Sequence, residues 1–148
     1  MPKLKVLFLC TGNACRSQMA EGWARFLKRD TIEPYSAGVT PKGLDPRAVA
    51  VMAELGVDIS HQRAKHVDEL DTAALDYVVT VCDHAAETCP VLPGRAPMRH
   101  RGFQDPPQLA AGAASEEEAL APYRRVRDEI RDYIETLPQA LRQPEASE

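Results

Sequence analysis

The stretch that decides the fold is Lys3–Glu21, KLKVLFLCTGNACRSQMAE. Its first half, Lys5–Leu9, is a short apolar run of residues that favour β structure, and it predicts a buried strand ending at Cys10. From Ser17 onward, apolar residues recur every three or four positions, which predicts a helix. The sequence therefore predicts a small loop, residues 10–16, between a strand and a helix.

This loop has the properties of an anion site with a nucleophile beneath it. Unpaired N–H groups and the helix dipole create positive potential at a helix N-terminus, and such a concavity binds tetrahedral oxyanions. Gly12 and Asn13 tolerate backbone conformations that most residues avoid, and Arg16 can clamp two oxyanion oxygens. The same field favours the thiolate of Cys10, and the Ser17 hydroxyl could donate a hydrogen bond to its sulfur. The predicted oxyanion-binding residues are Thr11, Gly12, Asn13, Ala14, Cys15, Arg16 and Ser17.

Beyond this stretch, strands and helices alternate along the chain. The expected strands are 32–36, 75–81 and 99–103, and the expected helices are 16–30, 45–55 and 115–137, with a helical turn at 67–70. This alternation predicts an α/β fold, a four-stranded parallel open sheet with helices on both faces, as one domain over residues 1–148 with a frayed tail at about 142–148. Trp23 and Phe26 are expected in the core. Ligands of such sheets bind beyond the carboxyl ends of the strands, where Cys10 and Cys82 both fall.

Composition and charge restrict the function classes. The formal charge is −4 with no basic tract, which argues against a nucleic-acid partner. No apolar run approaches the roughly 20 residues of a membrane span, and the N-terminus leads directly into the first strand without room for a signal peptide. We therefore expect a cytoplasmic, monomeric protein with no membrane partner, whose four cysteines rest as thiols.

A second pair of cysteines, Cys82 and Cys89, is separated by six residues in a proline-rich segment. This is not the two-residue spacing of zinc knuckles or thioredoxin motifs, so no metal site is expected. The two residues could simply be small apolar side chains. Against that reading, Cys89 stands in a polar segment bounded by prolines and is expected to be exposed. Cys15 is expected to serve packing.

The string CTGNACRSQMAEGWAR, residues 10–25, resembles the thioredoxin-coupled arsenate reductases that are built on the low-molecular-weight protein tyrosine phosphatase fold. The shorter pattern, Cys10 followed after five residues by Arg16 and Ser17, resembles the phosphate-binding loop of those phosphatases. The resemblance implies that arsenate is the substrate and that thioredoxin, or a similar dithiol, is the electron donor. It implies no tightly bound cofactor.

The resemblance also implies a relay of three cysteines. Cys10 attacks arsenate, Cys82 then attacks the sulfur of Cys10 and releases arsenite, and Cys89 attacks Cys82. The remaining Cys82–Cys89 disulfide is reduced by thioredoxin. Asp105, which precedes Pro106, matches the general acid of the related families, and its alternative role is that of a turn-forming aspartate.

The spacing of Cys82 and Cys89 predicts a conformational change. If residues 83–89 are helical, the two cysteines lie roughly 10 Å apart along the axis. A disulfide requires Cα atoms within about 7 Å. Residues 82–93 are therefore expected to rearrange between redox states and to expose the oxidised pair to a reductant.

Some relatives hold potassium with an Asn/Glu pair, which would be Asn13 and Glu21 here. Arg63 and Lys65 could supply positive charge to Glu21 instead. A bound monovalent cation is thus possible but not expected.

Two other functions stay open. One is a low-molecular-weight protein tyrosine phosphatase, in which Cys82 and Cys89 would be incidental. Pro107 stands where those phosphatases carry tyrosine, which removes an aromatic rim for phosphotyrosine. The other is a non-catalytic redox or oxyanion sensor, which the presence of Asp105 disfavours.

Overall fold

The computed structural model describes residues 2–83 and 96–143. At its centre is a parallel sheet in the order β2-β1-β3-β4, which confirms the predicted sheet. The strands are β1 (Leu4–Cys10), β2 (Ile32–Gly38), β3 (Tyr77–Thr80) and β4 (Met98–His100). The α-helices among the described residues are α1 (Arg16–Leu27), α2 (Pro46–Glu54), α3 (Pro106–Ala110), α4 (Glu116–Glu135) and α5 (Gln139–Arg142). Two short 3₁₀ helices, Val67–Glu69 and Thr72–Ala74, precede β3.

The strand order reverses at β1, which pairs with β2 on one side and with β3 on the other. Leu9 lies opposite Ala37 in β2 and Thr80 in β3, so all three strands end at the same edge. Ligands of open parallel sheets bind in the crevice outside such a switch point. Cys10 ends β1 and Cys82 follows β3 by two residues, so the fold brings both to this edge.

Both faces of the sheet are covered, which is why β1 is a continuous apolar run. Val6 and Phe8 pack into the core formed with the α-helices. Leu7 and Leu9 pack on the opposite face, where Val67 of the first 3₁₀ helix covers them. None of these four strand side chains is exposed. Among the described residues, the α-helices contribute to the first face and the 3₁₀ helices to the second.

Several expected boundaries differ from the observed ones. β3 begins at Tyr77 rather than residue 75, and β4 covers Met98–His100 rather than 99–103. Helix α3, directly after Asp105, and helix α5 were not predicted. The buried side chain of Leu141 anchors α5 to the core, so Arg142 belongs to a helix and not to a frayed tail. Residues 144–148 lie outside the described part of the chain.

One core assignment was wrong. Trp23 is 2% exposed, but Phe26 is 53% exposed. Phe26 lies in the last turns of α1 and packs edge-on against the outer side of Trp23, with ring centroids 6.1 Å apart. No helix in the described residues has both the length and the apolar character that crossing a lipid bilayer requires.

Candidate active site

The loop between β1 and α1 turns its carbonyl groups away from Cys10. Three backbone hydrogen bonds from the segment before α2 hold them: Thr40 N–H to Thr11 O at 2.9 Å, Lys42 N–H to Gly12 O at 3.0 Å, and Asp45 N–H to Ala14 O at 2.9 Å. In a planar trans peptide, each N–H points opposite to the preceding carbonyl. The N–H groups of residues 12, 13 and 15 therefore point toward the Cys10 side and form a concavity suited to an anion.

The backbone of this loop depends on two small features. Asn13 adopts a left-handed conformation with φ of 48°, which asparagine tolerates. Gly38, at the end of β2, allows the loop to pack against it, because a Cβ there would lie 2.5 Å from Thr11 O and 2.9 Å from Asn13 N. Gly12 has no positive φ, and a Cβ at that position would make only an ordinary contact with Cδ of Lys42, at 3.4 Å, so the expected special conformation is found at Asn13 and not at Gly12.

Cys10 is 2% exposed, and its sulfur lies within hydrogen-bonding distance of two donors. The Asn13 N–H donates to Sγ at 3.3 Å, and the Ser17 hydroxyl lies 3.0 Å from Sγ. The Asn13 side-chain amide donates to Ser17 Oγ at 2.8 Å. Because that hydroxyl oxygen already accepts a hydrogen bond, its own hydrogen is available to Sγ. Both donors stabilise negative charge on the sulfur.

Arg16 and Asp105 meet on the other side of the loop. Nη1 of Arg16 donates to Phe103 O at 3.0 Å, and Nη2 lies 3.6 Å from Oδ1 of Asp105. The Arg16 side chain is 5% exposed and that of Asp105 is 32% exposed. Asp105 occupies the N-cap position of α3, but its side chain caps no backbone N–H there.

These groups line one cavity of about 430 Å³. Its lining contains Cys10, Thr11, Gly12, Ala14, Cys15, Arg16, Lys42, Asp105 and Pro107. The side chains of Asn13 and Ser17 are fully buried and lie behind the loop rather than in this lining. A cavity of about 530 Å³ beside Phe26 is larger but is lined by no cysteine, so size alone does not identify the site.

Two residues of the site were missed by the sequence analysis. Lys42 brings a second cation to the cavity, and its position shortly past the end of β2 was the available signal. Gln18 is fully buried, and its Nε2 contacts the backbone and side-chain oxygens of Asn13 at 2.9 and 3.1 Å. A glutamine inside a helix carries no sequence signal for such a role.

The environment of Cys15 disfavours the thiolate form that a nucleophile requires. Burial raises the pKa of its thiol well above the usual range, and the nearby carboxylates of Asp45 and Asp105 raise it further. Cys15 is therefore held as a neutral thiol inside the loop, a state that suits packing.

Cys82 is disulfide-bonded, whereas Cys10 and Cys15 carry free thiols. The expectation that every cysteine rests as a thiol was therefore wrong for Cys82. Cys82 is also fully buried, so the expected exposure of the oxidised pair was wrong at this sulfur. The backbone of Gly102 packs so closely against the Cys82 carbonyl that a Cβ there would approach it to 2.7 Å. Cys89 and most of the segment 82–93 lie outside the described residues.

The oxygens of Asn13 and Glu21 already have protein partners. Asn13 Oδ1 accepts the Lys65 N–H at 3.0 Å. Glu21 accepts the Ser36 hydroxyl at 2.5 Å and pairs with Arg25, and the ammonium group of Lys65 donates to Ser36 O at 2.9 Å. This set does not fit a monovalent cation. The described residues also contain no cluster of three His, Cys, Asp or Glu side chains that could hold a metal ion.

Comparisons with known proteins agree on one family. The family model of low molecular weight phosphotyrosine protein phosphatases matches residues 5–147. An arsenate reductase of Halalkalibacterium halodurans is 46% identical over 136 residues, which cover 92% of this chain and 96% of that protein. The structure of an arsenate reductase from Archaeoglobus fulgidus has a TM-score of 0.70 at 32% identity, covering 89% of this chain and 97% of that one. A thioredoxin-dependent arsenate reductase of Corynebacterium glutamicum has a TM-score of 0.63 at 25% identity, covering 94% of this chain and 64% of that one.

Proposed function

This chain belongs to the low-molecular-weight phosphotyrosine protein phosphatase family, and on that premise we propose that it is an arsenate reductase regenerated by thioredoxin or a similar dithiol. One observation carries the proposal. The hydrogen-bonded sulfur of Cys10 and the guanidinium of Arg16 line one cavity, and a second cysteine, the disulfide-bonded Cys82, follows the neighbouring strand. A phosphatase has no use for that second cysteine.

In the first step, the inward N–H groups of the loop and Arg16 bind arsenate, and the Cys10 thiolate attacks arsenic. A sulfur–arsenic bond forms and an arsenic–oxygen bond breaks. Asp105, beside Arg16 at the cavity rim, donates a proton to the departing oxygen, which leaves as water.

In the second step, the Cys82 thiolate attacks Sγ of Cys10. The sulfur–arsenic bond breaks, and its electron pair stays on arsenic, which is reduced from As(V) to As(III) and leaves as arsenite. The two thiolates have together lost two electrons and form a Cys10–Cys82 disulfide. Because β1 and β3 are adjacent strands, about 5 Å apart, the two cysteines start from neighbouring positions.

In the third step, Cys89 attacks Cys82, which frees the Cys10 thiolate and leaves a Cys82–Cys89 disulfide. After this step Cys82 should be in a disulfide and Cys10 should be a free thiol. The described residues have this arrangement. The pairing with Cys89 stays a proposal. Since Cys82 is fully buried, an external dithiol is expected to attack the other sulfur of that bond.

The second candidate function is phosphatase activity. Arsenate and phosphate have the same shape and charge, so this cavity can also be expected to hold a phosphoryl group. Pro107 lines the cavity where the phosphatases carry tyrosine, which disfavours phosphotyrosine as the principal substrate. The cytoplasmic location and the monomeric state stay predictions.

The proposal is tested by arsenate turnover with NADPH, thioredoxin reductase and thioredoxin, comparing the wild type with Cys82→Ser, Cys89→Ser and Cys10→Ser. All three variants should lose arsenate turnover. Hydrolysis of p-nitrophenyl phosphate is the matched control, because it needs only the loop.

Cys82→Ser and Cys89→Ser should retain that hydrolysis, whereas Cys10→Ser should lose it. Full arsenate turnover by Cys82→Ser would contradict the relay. Turnover by Cys10→Ser would remove the assigned nucleophile.

A further inference from the structure

We propose that the ammonium group of Lys65 is a built-in cation of the anion-binding loop, which takes the place of a bound monovalent ion. Lys65 is then a positioning residue, because it acts on Cys10 through Asn13 and Ser17. The inference concerns the loop itself and does not require arsenate to be the substrate.

The buried carboxylate of Glu21 is the negative charge beside which this cation lies. Glu21 is 7% exposed, and a buried carboxylate is costly unless it is paired and hydrogen-bonded. Arg25 pairs with one oxygen of Glu21, and the Ser36 hydroxyl donates to the other. Lys65 adds a second positive charge beside this pair, because its ammonium group donates to the carbonyl of Ser36, the residue whose hydroxyl donates to Glu21. Arg63 does not take this role, since it pairs with Glu69 at 2.5 Å on the exposed surface.

Lys65 itself is tied between β2 and the loop. Its ammonium group donates to Ser36 O at 2.9 Å, and its carbonyl accepts the Gly38 N–H at 2.9 Å. Burial lowers the pKa of Lys65, while the charge of Glu21 acts in the opposite direction and favours the ammonium form. The side chain therefore holds a half-buried positive charge on a strand carbonyl, next to a buried carboxylate.

Three hydrogen bonds connect the Lys65 backbone to the sulfur of Cys10. The Lys65 N–H donates to Asn13 Oδ1 at 3.0 Å, which orients the Asn13 amide so that its nitrogen donates to Ser17 Oγ. Ser17 Oγ lies 3.0 Å from Sγ of Cys10. The positive charges of Arg25 and Lys65 near Glu21 would repel a free cation there.

The test measures binding of inorganic phosphate by titration calorimetry, which is independent of turnover. Wild type, Lys65→Ser and Lys65→Met are compared in KCl, NaCl and tetramethylammonium chloride at equal ionic strength. Lys65→Ser removes the ammonium group and leaves space for an ion, while Lys65→Met fills most of that space without charge. Lys3→Ser, an exposed lysine before β1, is the matched control.

We expect the wild type and Lys3→Ser to bind phosphate equally, within twofold, in all three salts. Lys65→Ser should bind roughly tenfold more weakly in tetramethylammonium chloride, as for a lost charged hydrogen bond, and should recover in KCl. Lys65→Met should be weakened in every salt.

Three results would overturn the inference: tighter phosphate binding by the wild type in KCl than in NaCl, wild-type affinity in Lys65→Ser under all conditions, or no recovery of Lys65→Ser in KCl. Loss of arsenate turnover with unchanged phosphate binding would count against the proposed function alone.

Discussion

At the residue scale, the chemistry of Cys10 depends on a chain of hydrogen bonds. Each bond in this chain determines which atom donates in the next one. Asn13 Oδ1 accepts from the Lys65 backbone, so the Asn13 amide nitrogen must donate, and Ser17 Oγ accepts it. The Ser17 proton is thereby directed to the sulfur of Cys10. Asparagine is suited to this chain of hydrogen bonds because one side chain both accepts and donates, and its backbone tolerates the positive φ.

Replacing Ser17 by alanine removes one donor from the Cys10 sulfur. We expect the rate of Cys10 alkylation by iodoacetamide at neutral pH, and the turnover of arsenate, to fall roughly tenfold, because a hydrogen bond to a charged group contributes about 1.5 kcal/mol. Ser60→Ala is the control, since that exposed hydroxyl bonds to Asp58 at 2.6 Å. Equal rates in the wild type and Ser17→Ala would contradict the role of the hydroxyl.

The buried thiol of Cys15 predicts a pH dependence of stability. Because folding raises the pKa of Cys15, the folded chain keeps this proton at pH values where the unfolded chain loses it. The contribution to stability is complete below about pH 8.5 and decreases above it, by at most about 1.4 kcal/mol per pH unit. The free energy of unfolding of the reduced protein, measured with urea, should therefore decrease more steeply from pH 8 to pH 10 in the wild type than in Cys15→Ser. Parallel curves would refute this.

At the scale of elements, the loop is supported by the start of α2 and by α4. Asp45 caps α2 by accepting the Arg47 N–H at 2.9 Å. Its second carboxylate oxygen accepts the Tyr123 hydroxyl at 2.6 Å, and its own N–H donates to Ala14 O. One side chain and its backbone thus connect a helix N-terminus, a helix face and the anion loop. Burial and the Asp45 carboxylate both raise the pKa of Tyr123, which keeps its hydroxyl a donor.

Tyr123→Phe tests this connection. We expect a loss of about 1–2 kcal/mol in the free energy of unfolding, because the partly buried carboxylate of Asp45 loses a donor. Tyr35→Phe is the matched control, since that hydroxyl contacts Glu33 at the edge strand β2. Urea denaturation measures the free energy of unfolding of both variants. An equal decrease in the two would show that the Tyr123–Asp45 hydrogen bond contributes no more to stability than the Tyr35–Glu33 contact.

The segment between β2 and α2 also carries Lys42, whose stem packs over Gly12 at the cavity. We expect Lys42→Gln to raise the KM for arsenate two- to fivefold with little change in kcat, since an exposed charge contributes about 0.2–1 kcal/mol to binding. The effect should shrink at high salt. Lys3→Gln should leave both parameters unchanged. A fall in kcat at constant KM would assign Lys42 to the chemical step instead.

At the scale of the whole molecule, the proposed relay requires a nucleophile that is held in place and a neighbouring segment that carries the oxidation away. Cys10 is fixed by β1, the central strand with partners on both sides. Cys82 follows β3 and is already buried in a disulfide. In the proposed relay the oxidation moves outward and two electrons enter from the reductant through the chain beyond Cys82, whose residues 84–95 lie outside the described part.

Amide hydrogen exchange in the two redox states tests that division. Protection of β1 and α4 should be the same in reduced and oxidised protein, whereas residues 83–93 should differ. Cys82→Ser should abolish the difference, because the variant cannot form the disulfide. Equal protection of residues 83–93 in both states of the wild type would argue against a rearrangement.

The sequence by itself determined the strand, the anion loop and the helix that follows it. An apolar run, a glycine–asparagine turn and a helical period are local patterns, and each can be interpreted from neighbours in the chain. Alternating strands and helices also sufficed for the parallel sheet, and that sheet places Cys10 and Cys82 at one edge. The resemblance supplied the roles of the three cysteines and of Asp105.

Only the tertiary structure decided how the loop is supported and what surrounds each cysteine. Lys42, Gln18 and Lys65 each contact Gly12 or Asn13 of the loop, and the Lys65–Asn13 bond spans 52 positions in the chain. The burial of Cys82 and the exposure of Phe26 likewise depend on which elements pack beside them. The physical reason is that such contacts depend on distances in space, and a hydrogen bond between distant segments leaves no periodicity in the sequence.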